Sequence, residues 1–154
     1  MHRHITQASE RSPAAILAAT ELRERIVRDF ETHGLKGTLQ RLLVASVLLK
    51  APRHLTAEQI LLELREGGRR VSKATVYNTL KVLTEHGLIR QINLSGDHAV
   101  YDSTCTPHHH FHNIDTGELS DLRPEEVDLQ RLPPLPEGTE ATSVEVVIRI
   151  RRRR

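Results

Sequence analysis

The segment TPHHHFHNID, residues 106–115, places four imidazoles in five consecutive positions, His108, His109, His110 and His112, interrupted only by Phe111. If the run is extended, side chains alternate, so His108, His110 and His112 share one face while His109 and Phe111 share the other. Two imidazoles two residues apart on a strand face can chelate one ion. Imidazole suits Zn, Fe, Cu or Ni, and a first-row divalent ion takes further N or O donors until roughly four to six positions are filled. Asp102 and Asp121 flank the run and His54 lies upstream, so carboxylates and a further imidazole are within the same chain. The competing reading of the run is a solvated polar loop.

Histidines with carboxylates also build metal-dependent hydrolases. The chain has no HExxH, no nucleophile motif and no Gly-rich phosphate loop, which places a hydrolase behind a non-enzymatic binding protein. Its single cysteine, Cys105, excludes an internal disulfide and any cysteine-pair zinc site. No apolar run is long enough to cross a bilayer, and the N-terminus MHRHITQASER lacks the apolar stretch of a secretory signal, so a cytoplasmic protein with no membrane partner is expected.

The net charge of +2 conceals an asymmetry. Residues 1–93 carry 15 Lys+Arg against 9 Asp+Glu, giving +6, and residues 94–154 carry 7 against 11, giving −4. One part is suited to a polyanion and the other, rich in carboxylates, to a cation.

These groups need elements to hold them. Ser12-Pro13 reads as a helix start, and Leu22, Ile26 and Phe30 recur at helical spacing until Gly34. A second helix is expected from Thr38 toward Lys50, stopped by Pro52. Thr56 to Gln59 reads as a capping box opening a third helix, and Ser72 caps a fourth that closes at Gly87. On that fourth helix Val76, Thr79, Leu80 and Leu83 face one way, and Ala74, Tyr77, Asn78 and Lys81 the other. The second face suits the floor of a DNA groove, where a ring can touch a thymine methyl and an amide can read a base edge. The alternative is the solvated face of any amphipathic helix. LIRQIN and AVYD, joined by LSGDH, then read as two short strands. Helix-turn-helix followed by a hairpin is a winged helix, whose wing offers Arg90 and His98 to the DNA backbone. STCTP reads as a linker. Beyond the histidines come a turn at Asp115 to Gly117, a short acidic helix near Pro124 to Gln130, the bend LPPLPEG, and a final strand SVEVVIRI.

GLKGTLQRLLVASVLL, HLTAEQI, ATVYNTLKVLTEHGLIR and HHHFH resemble, in content and order, segments of the ferric uptake regulator superfamily. YDSTCTPHHHFH and the tail LPPLPEGTEATSVEVVIRIR are most similar to its iron response regulator branch. The resemblance implies an α+β protein: an N-terminal winged helix over 1–102, a linker over 103–107, and a C-terminal α/β dimerisation and ligand-sensing domain over 108–154. It implies a homodimeric transcriptional regulator of iron homeostasis on double-stranded, AT-rich operator DNA. Tyr77 would contact bases, Thr75 and Arg41 phosphates, and Lys36 the minor groove, with Asn78 and Lys81 beside them. The regulatory site would comprise His54, Asp102, His110, His112 and Asp121, on an alignment with a one-residue insertion before the run and a two-residue deletion after it. The guest would be haem, with His108, His109, His110 and His112 as candidate ligands, or, in a Fur-type repressor, Fe(II), Mn(II) or Zn(II) as corepressor.

Two departures from the family matter. The cysteine pairs that hold structural zinc in many relatives are missing, so the second domain must cohere by packing. In relatives an aspartate at the place of Phe111 joins the imidazole matching His109 in binding another metal, and Phe111 cannot ligate.

Overall fold

The computed structural model describes residues 12–94 and 98–154; residues 1–11 and the wing turn 95–97, both read above from sequence, lie outside the described residues. It divides into two compact units, Met1–Cys105 and Thr106–Arg154.

In the N-terminal unit a hydroxyl opens each helix. Ser12 accepts from the Ala15 N–H at the start of α1 (Pro13–Thr32), and Thr38 from the Arg41 N–H at the start of α2 (Leu39–Leu49). Thr56 and Gln59 form the expected reciprocal box ahead of α3 (Ala57–Glu66), and Ser72 accepts from the Thr75 N–H ahead of α4 (Lys73–Glu85). These side chains satisfy amide groups that a helix start leaves without partners. Gly87 closes α4 at φ +73°, where a side chain would be strained. The core collects Ile26 and Phe30 from α1, Val44 and Leu48 from α2, Ile60 and Leu64 from α3, and Val76, Leu80 and Leu83 from α4.

A three-residue strand absent from the sequence reading, β1 (His54–Thr56), pairs antiparallel with β3 (Ala99–Asp102), which also pairs with β2 (Arg90–Asn93). With the order β1-β3-β2, the last residue of β3, Asp102, stands opposite both His54 and Arg90. The end of this sheet is fastened just outside β1. The Arg53 N–H donates to Ser103 Oγ at 2.9 Å and the Ser103 N–H to the Arg53 carbonyl at 3.2 Å.

Arg53 also ties three elements together. Its guanidinium donates to the Val47 carbonyl and, through both Nη atoms, to Glu63 on α3; Lys50 reaches the same carboxylate at 3.1 Å. Burial pushes the Glu63 carboxyl up, but hydrogen bonds from Arg53 and Lys50 outweigh it and hold the group below its ordinary value of 4.5. A depressed carboxyl contributes stability that is present above pH 4.5 and is lost as pH falls through the lowered folded value. Glu63→Gln is therefore expected to flatten the acid limb of the stability profile, read from urea midpoints measured against pH; an unchanged limb would count against this pairing.

The C-terminal unit is a three-stranded sheet of order β5-β4-β6. The strand β4 (His109–Asn113) runs antiparallel to β5 (Leu119–Leu122) and parallel to β6 (Val147–Ile150). Between β4 and β5 the Asn113 side chain accepts from the Asp115 and Thr116 N–H groups, and Gly117 takes φ +77°. The helix expected over Pro124 to Gln130 is a single 3₁₀ turn, Pro124–Glu126, and Val127 is already extended. With neighbours that bury little, nothing rewards propagation past the first turn. Among the described residues the C-terminal unit is sheet with this one 3₁₀ turn, and with the four helices of the N-terminal unit the chain is α+β, as expected. Among the described residues, no helix is long and apolar enough to cross a membrane.

Candidate metal centre and nucleic-acid face

Each unit carries its own cluster of donors. In the N-terminal unit the β1–β3 register sets His54 against Asp102, with His54 Nε2 3.2 Å from Asp102 Oδ2. Asp102 is fully buried, and its Oδ1 accepts from the Thr104 N–H at 2.8 Å. Nearby, burial and the Asp102 charge push the Cys105 thiol up, against a smaller opposing pull from Arg90. A thiol held protonated is a poor ligand and a poor redox sensor.

In the C-terminal unit the hairpin register pairs His110 with Asp121. His110 Nε2 lies 3.5 Å from Asp121 Oδ1, and His108 Nε2 lies 3.3 Å from the same oxygen. The partners of the other ring nitrogens fix the protons. His108 Nδ1 is 2.7 Å from the Thr106 carbonyl oxygen, which can only accept, so Nδ1 carries the hydrogen. His110 Nδ1 is 2.9 Å from the Glu145 carboxylate, with the same consequence. In the neutral rings both Nε2 atoms then present lone pairs, and they converge on a carboxylate oxygen. Three acceptors facing one another require a positive charge among them, either protons or a metal ion, and carboxylate-oriented imidazole is the usual form of a metal ligand. The donor set therefore fits a first-row divalent ion.

Glu145 is a residue that the sequence reading missed. Its only signal was an acid inside the apolar strand SVEVVIRI, and its partner lies 35 positions away. Removing its acceptor by Glu145→Ala is expected to weaken Mn(II) affinity by about ten- to a hundredfold. Isothermal titration would measure this, and an unchanged affinity would deny Glu145 its orienting role.

The remaining histidines fare differently. His109 Nδ1 accepts from the Val146 N–H at 3.0 Å, fastening β4 to the residue before β6. A neutral ring engaged in this way carries its proton on Nε2, so neither nitrogen offers a lone pair to haem or metal. His112 stands opposite Leu119, and its buried Nδ1 has no hydrogen-bond partner among the described residues. The structure thus converges His108 and His110 where the resemblance had placed His110 and His112. His108 and His110 pack edge to face, with centroids 4.5 Å apart and planes at 64°.

The DNA-facing candidates all lie in the N-terminal unit. Val76, Thr79, Leu80 and Leu83 are buried, whereas Ala74, Tyr77, Asn78 and Lys81 are exposed, as the helical period demands. Thr75 is half-buried at the helix start, its hydroxyl 2.8 Å from that of Ser72. Lys36 is exposed in the loop before α2, and Arg41 donates to its carbonyl at 3.0 Å, so the two cations are tied together. Lys81 lies 3.9 Å from Glu85. The Tyr77 hydroxyl donates to Glu58 on α3 at 2.6 Å, a second contact that the sequence did not disclose.

Comparison with known proteins agrees with this architecture. The chain is 33% identical over 124 residues to the ferric uptake regulation protein of Pseudomonas aeruginosa, covering 79% of this chain and 92% of that one. It is 31% identical over 106 residues to the peroxide operon regulator of Bacillus subtilis, covering 69% and 72%. Among solved structures, the ferric uptake regulator of Pseudomonas aeruginosa with manganese superposes with a TM-score of 0.67 at 31% identity, over 82% of this chain and 97% of the other. The model of the Ferric uptake regulator family matches residues 32–148. Matched over residues 32–148, the chain belongs to the Ferric uptake regulator family, whose members are metal-responsive transcription regulators.

Proposed function

We propose that the chain acts as a homodimer on AT-rich operator duplexes and takes Fe(II), Mn(II) or Zn(II) as the ion that licenses DNA binding. The observation that carries this reading is the convergence of the His108 and His110 Nε2 atoms on one Asp121 carboxylate oxygen, with each Nδ1 turned to an oxygen acceptor. His108, His110 and Asp121 offer three donors within one unit, and water can fill the remaining positions of the roughly four to six that such an ion takes. His54 with Asp102 is a second candidate set, in the other unit. A dimer must meet two half-sites at once, so an ion that orders the dimerisation unit changes affinity for DNA.

Haem, favoured by the resemblance to the iron response regulator branch, is served less well by these residues. Bis-histidine haem ligation sets the two rings on opposite faces of the porphyrin. His108 and His110 pack against each other instead, and His109 is engaged by the backbone.

The test is a titration of the full chain with Mn(II), Fe(II), Zn(II) and haem, following the anisotropy of a labelled duplex enriched from a randomised pool. A divalent ion is expected to raise DNA affinity, less so in acid, where protons compete for Nε2. A response to haem alone would overturn the assignment. Affinity should also fall linearly with the logarithm of salt concentration, and a flat response would exclude phosphate contact as the main attraction.

A further inference from the structure

A carboxylate on a DNA-reading surface is repelled by phosphates, yet Glu58 stands beside Tyr77, the candidate base reader on α4. The Tyr77 hydroxyl donates to Glu58 Oε1 at 2.6 Å. Lys73, one helical turn before Tyr77, places Nζ 3.8 Å from the same carboxylate and 5.8 Å from the centre of the Tyr77 ring. The ring is 40% exposed, so without these contacts it would be free to rotate at the surface. We propose that Glu58 is a positioning residue for DNA recognition: it fixes the Tyr77 ring before DNA arrives, so that the ring face and not the hydroxyl meets the bases. The proposal rests on Tyr77 being a base reader.

Two consequences of the contact agree with it. The hydrogen bond from Tyr77 is the largest influence holding the Glu58 carboxyl below its ordinary range, and the same bond is the largest influence pushing the Tyr77 phenol up. Freezing an exposed side chain in its bound orientation removes an entropic cost from binding. Because the cost arises when the ring docks on a defined surface, its removal favours the operator over unrelated DNA. A rival explanation is local. Glu58 occupies the first turn of α3, where the helix dipole favours an acid whatever Tyr77 does.

Substitution at both ends of the bond separates the two explanations. The full-length protein, loaded with Mn(II), would be assayed against a duplex that the wild type enriches from a randomised pool and against a scrambled duplex. Glu58→Ala is expected to lower the ratio of the two affinities by roughly two- to tenfold, the equivalent of one released side chain. Tyr77→Phe, which keeps the ring and loses the donor, should lose about as much, and the double variant no more than either. Glu58→Gln keeps an acceptor for the hydroxyl and should retain the preference, although it loses the charge. Spectrophotometric phenol titration supplies a readout that a helix-dipole role would not move: Tyr77 should titrate at lower pH in Glu58→Ala. Tyr77→Phe leaves Tyr101 as the other tyrosine of the chain and so identifies the signal. Equal behaviour of Glu58→Ala and Glu58→Gln, or a retained preference in Glu58→Ala, would overturn the proposal while leaving DNA reading intact. Failure of the wild type to enrich any sequence would overturn both.

Discussion

Replacing His110 with Ala is expected to raise the Mn(II) concentration needed for half-saturation by at least about a hundredfold, and metal-dependent DNA binding should disappear with it. Loss of a residue that only orients a ligand already costs about ten- to a hundredfold, and in the proposed site His110 contributes the ligand nitrogen itself. It is fully buried, its Nδ1 proton is committed to Glu145, and its Nε2 faces Asp121. His112→Ala is the informative companion, because His112 lies on the same strand face but stands opposite Leu119. Its metal affinity should match the wild type. If His112→Ala lost the metal and His108→Ala kept it, the pairing of His108 with His110 would be refuted, and the assignment made by resemblance would return.

Phe30→Ala should destabilise the N-terminal unit by about 3–5 kcal/mol, measured by urea unfolding of the full chain. Phe30 is the largest of the fully buried side chains. A Cβ built on Gly37 would lie 3.6 Å from its ring, so the loop leading into α2 rests on that ring. The same loop is anchored by the Leu35 N–H, which donates to the Phe30 carbonyl at 2.7 Å, and it carries Lys36. The variant should therefore also weaken DNA binding at saturating Mn(II). A loss below about 1 kcal/mol would mean that the site collapses around the gap more readily than its packing implies.

The helices were legible because each is specified locally. Ser72 caps α4, and Val76, Thr79, Leu80 and Leu83 recur at the period that buries one stripe; neither fact depends on distant residues. The strands that carry the candidate metal donors were harder to see. His54–Thr56 is too short to show a period and is a strand because Asp102 and its neighbours pair with it. Leu119–Leu122 has buried ends and an exposed middle, so it does not alternate. Alternation put His108, His110 and His112 on one face, but it could not choose among them. The choice is made by register across the hairpin, where Asp121 meets His110. Glu58 and Glu145 act through partners on other elements, and no spacing rule within a segment reveals such a partner.

The parallel pairing of β4 with β6 has a kinetic consequence. Antiparallel neighbours can be closed by a short turn, but parallel ones need a long connection, and here the Val146 N–H finds His109 across 37 positions. Contacts so distant along the chain form slowly, whereas capped helices assemble from nearby residues. On a ribosome both sheets therefore wait on strands made much later, His54 for Asp102 and His110 for Val147, while the capped helices of the N-terminal unit can already form.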